Sequence, residues 1–183
     1  MNRLEIGYLE MRRKNSEEMP CLLARSLGVI GEWWTLLIVR DAMMGVRRFE
    51  DFQRSLGIAR NVLSDRLRKL EEHGLLERRQ YEARPPRHEY HLTEKGRALG
   101  PVLLSIVQWG RDWIPDPPKM QFRNRETGAE VKVTVVDLQD GHEISAGAVR
   151  PVADADADIA TRNRIEFYQE MRQAEEKADK SAK

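Results

Sequence analysis

Leucines at 63, 67 and 70 make the clearest pattern in the chain. They lie within IARNVLSDRLRKLEEHGLLERR at 58–79 and, at 100° per residue, fall in one narrow stripe, predicting a helix from about Arg60 to Glu72. Nearly opposite stand Asn61, Ser64, Asp65 and Arg68, with Arg60 and Lys69 at the flanks. Gly57 supplies a tight turn before this helix and Gly74 its stop. One face of the segment asks for a core, and the other needs a different explanation.

The same periodicity predicts a helix over 19–31, with Leu22, Leu23, Leu27 and Ile30 inward and Pro20 near its first turn. A second, EWWTLLIVRDAMM at 32–44, is apolar almost all round and reads as the central core helix. The short FEDFQRSL at 49–56 puts Phe49, Phe52 and Leu56 on one side. Beyond Gly74 the period changes to two: LLERRQYE at 75–82 and HEYHLT at 88–93 flank the loop ARPPR and predict a hairpin. Thr93 is an expected N-cap for a long helix over 94–114, whose apolar positions are Leu99, Val102, Leu103, Ile106, Trp109 and Trp113. Pro101 should bend that helix or sit where a lost hydrogen bond is tolerated. PDPPK is a break, after which strand-like segments and the turns NRETG and QDG predict a small antiparallel β module over 119–152. The tail opens on ADADAD and continues as a mostly polar helix. The expected organisation is an N-terminal arm at 1–18, a domain at 19–114, the β module at 115–152 and a polar helical or disordered tail at 153–183.

Composition narrows the class. With 40% hydrophobic and 33% charged residues the chain reads as a soluble globular protein. Its longest strongly apolar run, WWTLLIV at 33–39, is too short to span a bilayer. The first twenty residues carry charges throughout and lack a signal-peptide pattern, so a cytoplasmic location is expected. A single cysteine, Cys21, excludes intramolecular disulfides and CxxC metal sites. His73, His88, His91 and His142 show no tight ligand spacing, so neither metal nor cofactor is expected. The net charge of +1 conceals an excess in residues 40–90, where twelve Lys/Arg face nine Asp/Glu. That excess is modest, so placement on the elements has to decide what it means.

Helices, a tight glycine turn, a polar-faced helix and then a hairpin describe a mainly α fold with a small β component. The architecture is a winged helix-turn-helix followed by a long dimerisation-type helix and a small antiparallel β extension. Amphipathic helices are usually plain surface helices; the order of these elements is what gives the pattern specificity. The polar face of 60–72 then suits the DNA major groove, which admits a helix and presents a readable donor and acceptor code. Arg60, Asn61, Ser64, Asp65, Arg66 and Arg68 are the candidate contacts there. Asp65 repels phosphate, and either accepts from a cytosine amine or orients Arg68 or Arg66. In the hairpin loop Arg84 and Arg87 bracket Pro85-Pro86, a stiff cationic tip suited to phosphates or a narrow minor groove. Arg47 and Arg48, just before the helix at 49–56, are further phosphate candidates.

These residues resemble the HxlR-type winged-helix transcriptional regulators over roughly 19–114. The resemblance rests on Cys21; Gly31 with Trp34-Thr35-Leu36-Leu37; Arg48-Phe49; Val62-Leu63-Ser64 with Arg66-Leu67; Pro85-Pro86-Arg87 with Glu89-Tyr90; and Leu92-Thr93-Glu94 before Gly96. It implies a homodimeric bacterial DNA-binding regulator, often a repressor, acting on an inverted-repeat operator in double-stranded DNA and pairing through its terminal helices. The interface would include Leu99, Leu103, Ile106, Trp109 and Trp113. Two features depart from the family. Ala59 stands where a serine would often cap the 60–72 helix, a loss of about 1 kcal/mol unless Ser55 or a water substitutes. The stretch before Cys21 is also long, with Met11 as an alternative start. The β module resembles the C-terminal extension of some members but lacks cysteines at ETG and QDG, so its hairpins must hold without zinc.

A regulator needs an input. Cys21, near a helix start with Arg25 four residues on, is a candidate redox sensor; its other reading is a small buried hydrophobe. A small aromatic or apolar ligand between the dimer helices, near Trp33, Trp34, Trp109 and Trp113, is the other input, against plain core and interface roles for those residues. A winged helix that binds only protein partners is the competing function. An enzyme is not expected, because no nucleophile–base pair, carboxylate dyad or phosphate loop stands out.

Overall fold

The computed structural model describes Met19 and residues 21–181; the expected arm at 1–18 and Pro20 lie outside the described residues. Helices α1 (Leu22–Ile30), α2 (Trp33–Met43), α3 (Phe49–Leu56) and α4 (Arg60–Glu72) precede strands β1 (Leu76–Ala83) and β2 (Pro86–Leu92). Then come α5 (Glu94–Arg97), α6 (Gly100–Trp113), the short strands β3 (Val135–Val136) and β4 (Glu143–Ile144), and α7 (Ile159–Ser181). Two compact units result: Val29–Thr134, and a second made of the described residues before Val29 with those from Val135 onward.

The core of the first unit is one cluster. Ile38, Val39 and Ala42 of α2 meet Phe52 of α3, Leu63, Leu67 and Leu70 of α4, and Leu75, Leu76 and Leu92 at the base of the hairpin. Each fully buried leucine contributes about 1.5–3 kcal/mol relative to exposure, so the stripe on α4 is enough to fix which way its other face points. Gly57 ends α3 in the left-handed region at φ 62°, and its N–H closes the helix on the Gln53 carbonyl. Gly74, at φ 67°, turns the chain from α4 into the hairpin. Thr93 caps α5 as expected, its Oγ1 accepting from the Gly96 N–H at 3.1 Å while donating to the Gly74 carbonyl at 2.6 Å. Gly96 is required there by close approach, because a Cβ would stand 2.2 Å from the Leu75 carbonyl oxygen.

Three expectations change. The helix over 94–114 is two helices, because Pro101 lies in the first turn of α6, where its missing N–H costs nothing. In α1 only Val29 and Ile30 pack against the core, whereas Leu22, Leu23 and Leu27 are exposed, Leu22 by 80%. Their apolar face is inward only at the last turn. The expected strands of 119–152 shrink to a two-residue ladder, Val135↔Ile144 and Val136↔Glu143, and one isolated bridge, Arg123↔Glu130. The turns fall where expected, with Gly128 at φ 69° and Gly141 at φ 77°. Two paired strands leave Val135 and Val136 exposed, so burial gives little reason to extend the ladder.

Residues 119–134 belong to the first unit. The Gln108 side chain of α6 grips Val133 at both backbone groups, accepting from its N–H at 2.9 Å and donating to its carbonyl at 3.1 Å. Arg111 adds an ion pair to Glu130 at 3.0 Å. In the second unit Asp158 caps α7 through the Thr161 N–H at 2.7 Å, and Arg172 donates to the Gly147 carbonyl at 2.7 Å.

Candidate nucleic-acid interface

The surface that could meet DNA is built by α4 and the hairpin. With Leu63, Leu67 and Leu70 inward, Asn61 and Ser64 are exposed and their side chains make no hydrogen bond or ion pair among the described residues. Ala59, in the N-cap position of α4, provides no side-chain cap, and among the described residues neither Ser55 nor any other side chain replaces it there. Arg60 stays exposed, with its guanidinium carbon 4.8 Å from the centroid of the Phe49 ring.

Further along α4 the charges satisfy one another. Asp65 takes Arg68 at 2.6 Å and Lys69 at 3.2 Å, and Arg68 reaches on to Glu72 at 2.5 Å. The Arg68 and Lys69 bonds hold the Asp65 carboxyl below its ordinary value, and the Asp65 and Glu72 bonds hold the Arg68 guanidinium above its own. Asp65 thus orients Arg68, one of the two roles weighed for it. Arg66 is a correction. Its side chain is only 16% exposed and is paired with Glu32, at the start of α2, at 3.1 Å. It lies on the flank toward the core rather than on the outer face.

The hairpin pairs Leu76↔Leu92 through Gln80↔His88 in register, then slips between Gln80 and Glu82, so Tyr81 is an extra residue. Strict alternation would put Arg78 and Tyr81 on opposite faces; with the bulge they line one cleft. At the tip Arg84 is exposed and without a partner among the described residues, and a cis bond joins it to Pro85. Arg87 pairs with Glu82 at 3.3 Å and is raised above its ordinary value, chiefly by its bond to Tyr81.

The two arginines before α3 divide. Arg47 is the second correction: its guanidinium donates to the Val46 carbonyl at 2.9 Å and to the Ala42 carbonyl, closing the end of α2 instead of facing outward. Arg48 is half exposed, lies 4.6 Å from the Tyr81 ring centroid and bonds Glu89 at 3.2 Å. That bond holds the Glu89 carboxyl below its ordinary value. Arg48 and Glu89 also form a backbone bridge, and the Tyr90 N–H donates to the Arg47 carbonyl at 2.8 Å, which ties the hairpin to the segment before α3.

Residues that sequence reasoning missed are Arg78, His88 and Tyr81. The pairing of β1 with β2 sets Arg78 opposite Tyr90 and Gln80 opposite His88 on one hairpin face. Period-two alternation could have shown that face, but not the bulge that adds Tyr81 to it. The candidate dimer residues divide as well. Leu99 and Leu103 pack against the core of their own chain, while Ile106, Trp109 and Trp113 are exposed, Trp109 by 60% and Trp113 by 74%. Cys21 carries a free, half-buried thiol, and its carbonyl accepts from the Arg25 N–H at 3.0 Å. That bond makes Cys21 the residue flanking α1, one position before the first turn in which it was expected. Among the described residues no group of three His, Cys, Asp or Glu side chains could hold a metal ion, and no single helix is long and apolar enough to cross a membrane.

Comparison with known proteins agrees with this architecture. The model of the HxlR-like helix-turn-helix family matches residues 29–118. The uncharacterized HTH-type transcriptional regulator Rv3095 of Mycobacterium tuberculosis is 44% identical over 131 residues, covering 70% of this chain and 83% of its own. YvaP of Bacillus subtilis, also an uncharacterized HTH-type transcriptional regulator, is 36% identical over 104 residues, 56% of this chain and 95% of its own. Among solved structures PA1607, described as a candidate transcription factor, superposes with a TM-score of 0.70 at 42% identity, covering 77% of this chain and all of its own. PA1374 of Pseudomonas aeruginosa, described likewise, gives 0.60 at 41% identity, covering 79% of this chain and 99% of its own. Both structural matches reach beyond the span of the family model. On fold, site architecture and relatives together, the chain belongs to the HxlR-like helix-turn-helix family of transcriptional regulators.

Proposed function

We propose that the protein is a homodimeric, sequence-specific repressor that reads an inverted-repeat operator with the first turns of α4 and holds the backbone with its hairpin. The observation that carries this reading is the division of α4: three leucines buried, while the side chains of Asn61 and Ser64 stay exposed with no partner among the described residues. Asn pairs with adenine at two points and Ser with either a base or a phosphate, so these two side chains supply recognition without an ion pair having to break first. Arg84 and Arg87 at the hairpin tip serve phosphates. The exposed Ile106, Trp109 and Trp113 of α6 favour a second copy of the chain as partner, and a DNA partner supports a cytoplasmic location.

The reading includes release by a signal. Either a thiol-reactive oxidant acts at Cys21, or a small apolar molecule enters the cavity of about 360 Å3 between α2 and α6, lined by Trp33, Leu37, Met43, Leu103 and Ile106. Selecting bound fragments from a random DNA pool, with and without oxidant, tests both parts. The expected product is a palindromic site with half-sites about 34 Å apart, or a multiple of that. Failure to enrich any sequence contradicts the reading. Oxidant release that persists in Cys21→Ser removes the thiol branch and leaves the cavity.

A further inference from the structure

A second cleft lies between the first turn of α4 and the hairpin, and none of its basic residues except Arg60 and Arg87 was expected at a site. Its volume is about 460 Å3, and it is lined by Phe49 and Glu50 of α3, Arg60 of α4, and residues of the hairpin that include Arg78, Tyr81, Arg87, His88 and Tyr90. Three guanidinium groups from three elements therefore border one space. They are not equally free. Arg87 is shared with Glu82, whereas among the described residues Arg60 stacks on the Phe49 ring and Arg78 bonds His88, neither facing a carboxylate in an ion pair.

The Arg78–His88 contact has a defined sense. Arg78 Nη2 stands 2.9 Å from His88 Nδ1, and a guanidinium can only donate, so the ring nitrogen is the acceptor. Such a bond orients the Arg78 fork without neutralising it. The contrast with other arginines is plain: Arg66, Arg68 and Arg48 each face a carboxylate, and Arg47 is spent on backbone carbonyls. Glu50 is the opposing charge in the lining, and Tyr81 and Tyr90 add hydroxyl groups.

We infer that this cleft binds one phosphate group of the DNA backbone, gripped by Arg60 and Arg78 with Arg87 at its outer edge and His88 as the residue that positions Arg78. The inference rests on the DNA-binding reading and deepens it, because the cleft opens between the helix proposed to enter the groove and the hairpin proposed to follow the backbone. A planar fork held in place matches two phosphate oxygens at once.

The test measures DNA affinity against salt for the full-length wild type, Arg78→Ala, Arg78→Gln and Arg79→Ala, each on the selected site and on an unrelated duplex. Arg79 is the control, since it follows Arg78 in β1, points to the opposite face and pairs with Glu77. Either Arg78 variant should flatten the slope of log K against log salt by about one unit on both duplexes, and Arg79→Ala should leave it unchanged. An Arg78 slope equal to wild type, or an equal loss in Arg79→Ala, overturns the clamp while the DNA-binding reading stands. Arg78-dependent binding of inorganic phosphate by the DNA-free protein, together with an Arg78→Ala slope on DNA equal to wild type, would make a free anion the ligand and overturn the assignment to DNA. Wild-type protein that binds neither duplex would sink both readings.

Discussion

Helices α4 and α6 have similar lengths and both carry an apolar stripe, yet they end up in opposite states. In α4 the stripe of Leu63, Leu67 and Leu70 is spent within the chain; in α6 no residue is fully buried and Ile106, Trp109 and Trp113 remain exposed. What α4 has left over is polar, and what α6 has left over is apolar. A polar remainder is cheap to keep wet and suits a hydrated, charged partner, whereas an apolar remainder gains by removing a comparable surface from water. The two helices are therefore expected to meet different partners, DNA for one and a second copy for the other.

Breaking α4 from the inside should have the largest effect. Leu67→Ala is expected to cost about 2–5 kcal/mol of stability, read by thermal or denaturant unfolding, and to remove DNA binding with the fold. Trp109→Ala should do the reverse, leaving unfolding of the single chain nearly unchanged while weakening self-association by about 2 kcal/mol or more, seen by sedimentation. Equal losses of stability in both variants would erase the distinction. Gly96→Ala tests the joint between the two regions; a Cβ driven against the Leu75 carbonyl should cost about 1–3 kcal/mol and leave the DNA preference of the surviving folded protein intact.

The smallest effect is expected on the outer face of α4. Asp65→Asn leaves Arg68 with Glu72 alone and removes a negative charge, so affinity for every duplex should rise by no more than about fivefold, as expected for an exposed ion pair. Acid should act in the same direction. The folded-state value of Asp65 is depressed, so its ion pairs contribute stability above the unfolded value and lose it as pH falls through the folded one. Titration of this carboxyl by NMR should find it below the usual carboxylate range in wild type and closer to that range in Arg68→Ala.

Much of the fold was legible because its signals are local. Spacing along α4, the glycines at 57 and 74, and Thr93 before α5 each act within a turn or two of themselves, and the structure uses each as read. The site was less legible because its arginines are settled by distant partners. Nothing near Arg66 points to Glu32, and nothing in the sequence around Arg47 says that it will close α2 rather than meet a phosphate. Alternation alone puts Arg78 on one hairpin face, but only a one-residue slip in the hairpin brings Tyr81 to the same cleft. The 119–152 segment looked like a sheet because its residues alternate, but alternation without a surface to bury against yields only short ladders.

The most direct measurement compares Asn61→Ala with Arg84→Ala on the selected operator and on the same operator with single base pairs changed. Asn61→Ala should lose about 1–3 kcal/mol of discrimination at one position of each half-site and little affinity for unrelated DNA, whereas Arg84→Ala should weaken all duplexes alike. If both variants weaken every duplex equally, the first turns of α4 do not read sequence, and the account of this helix is wrong.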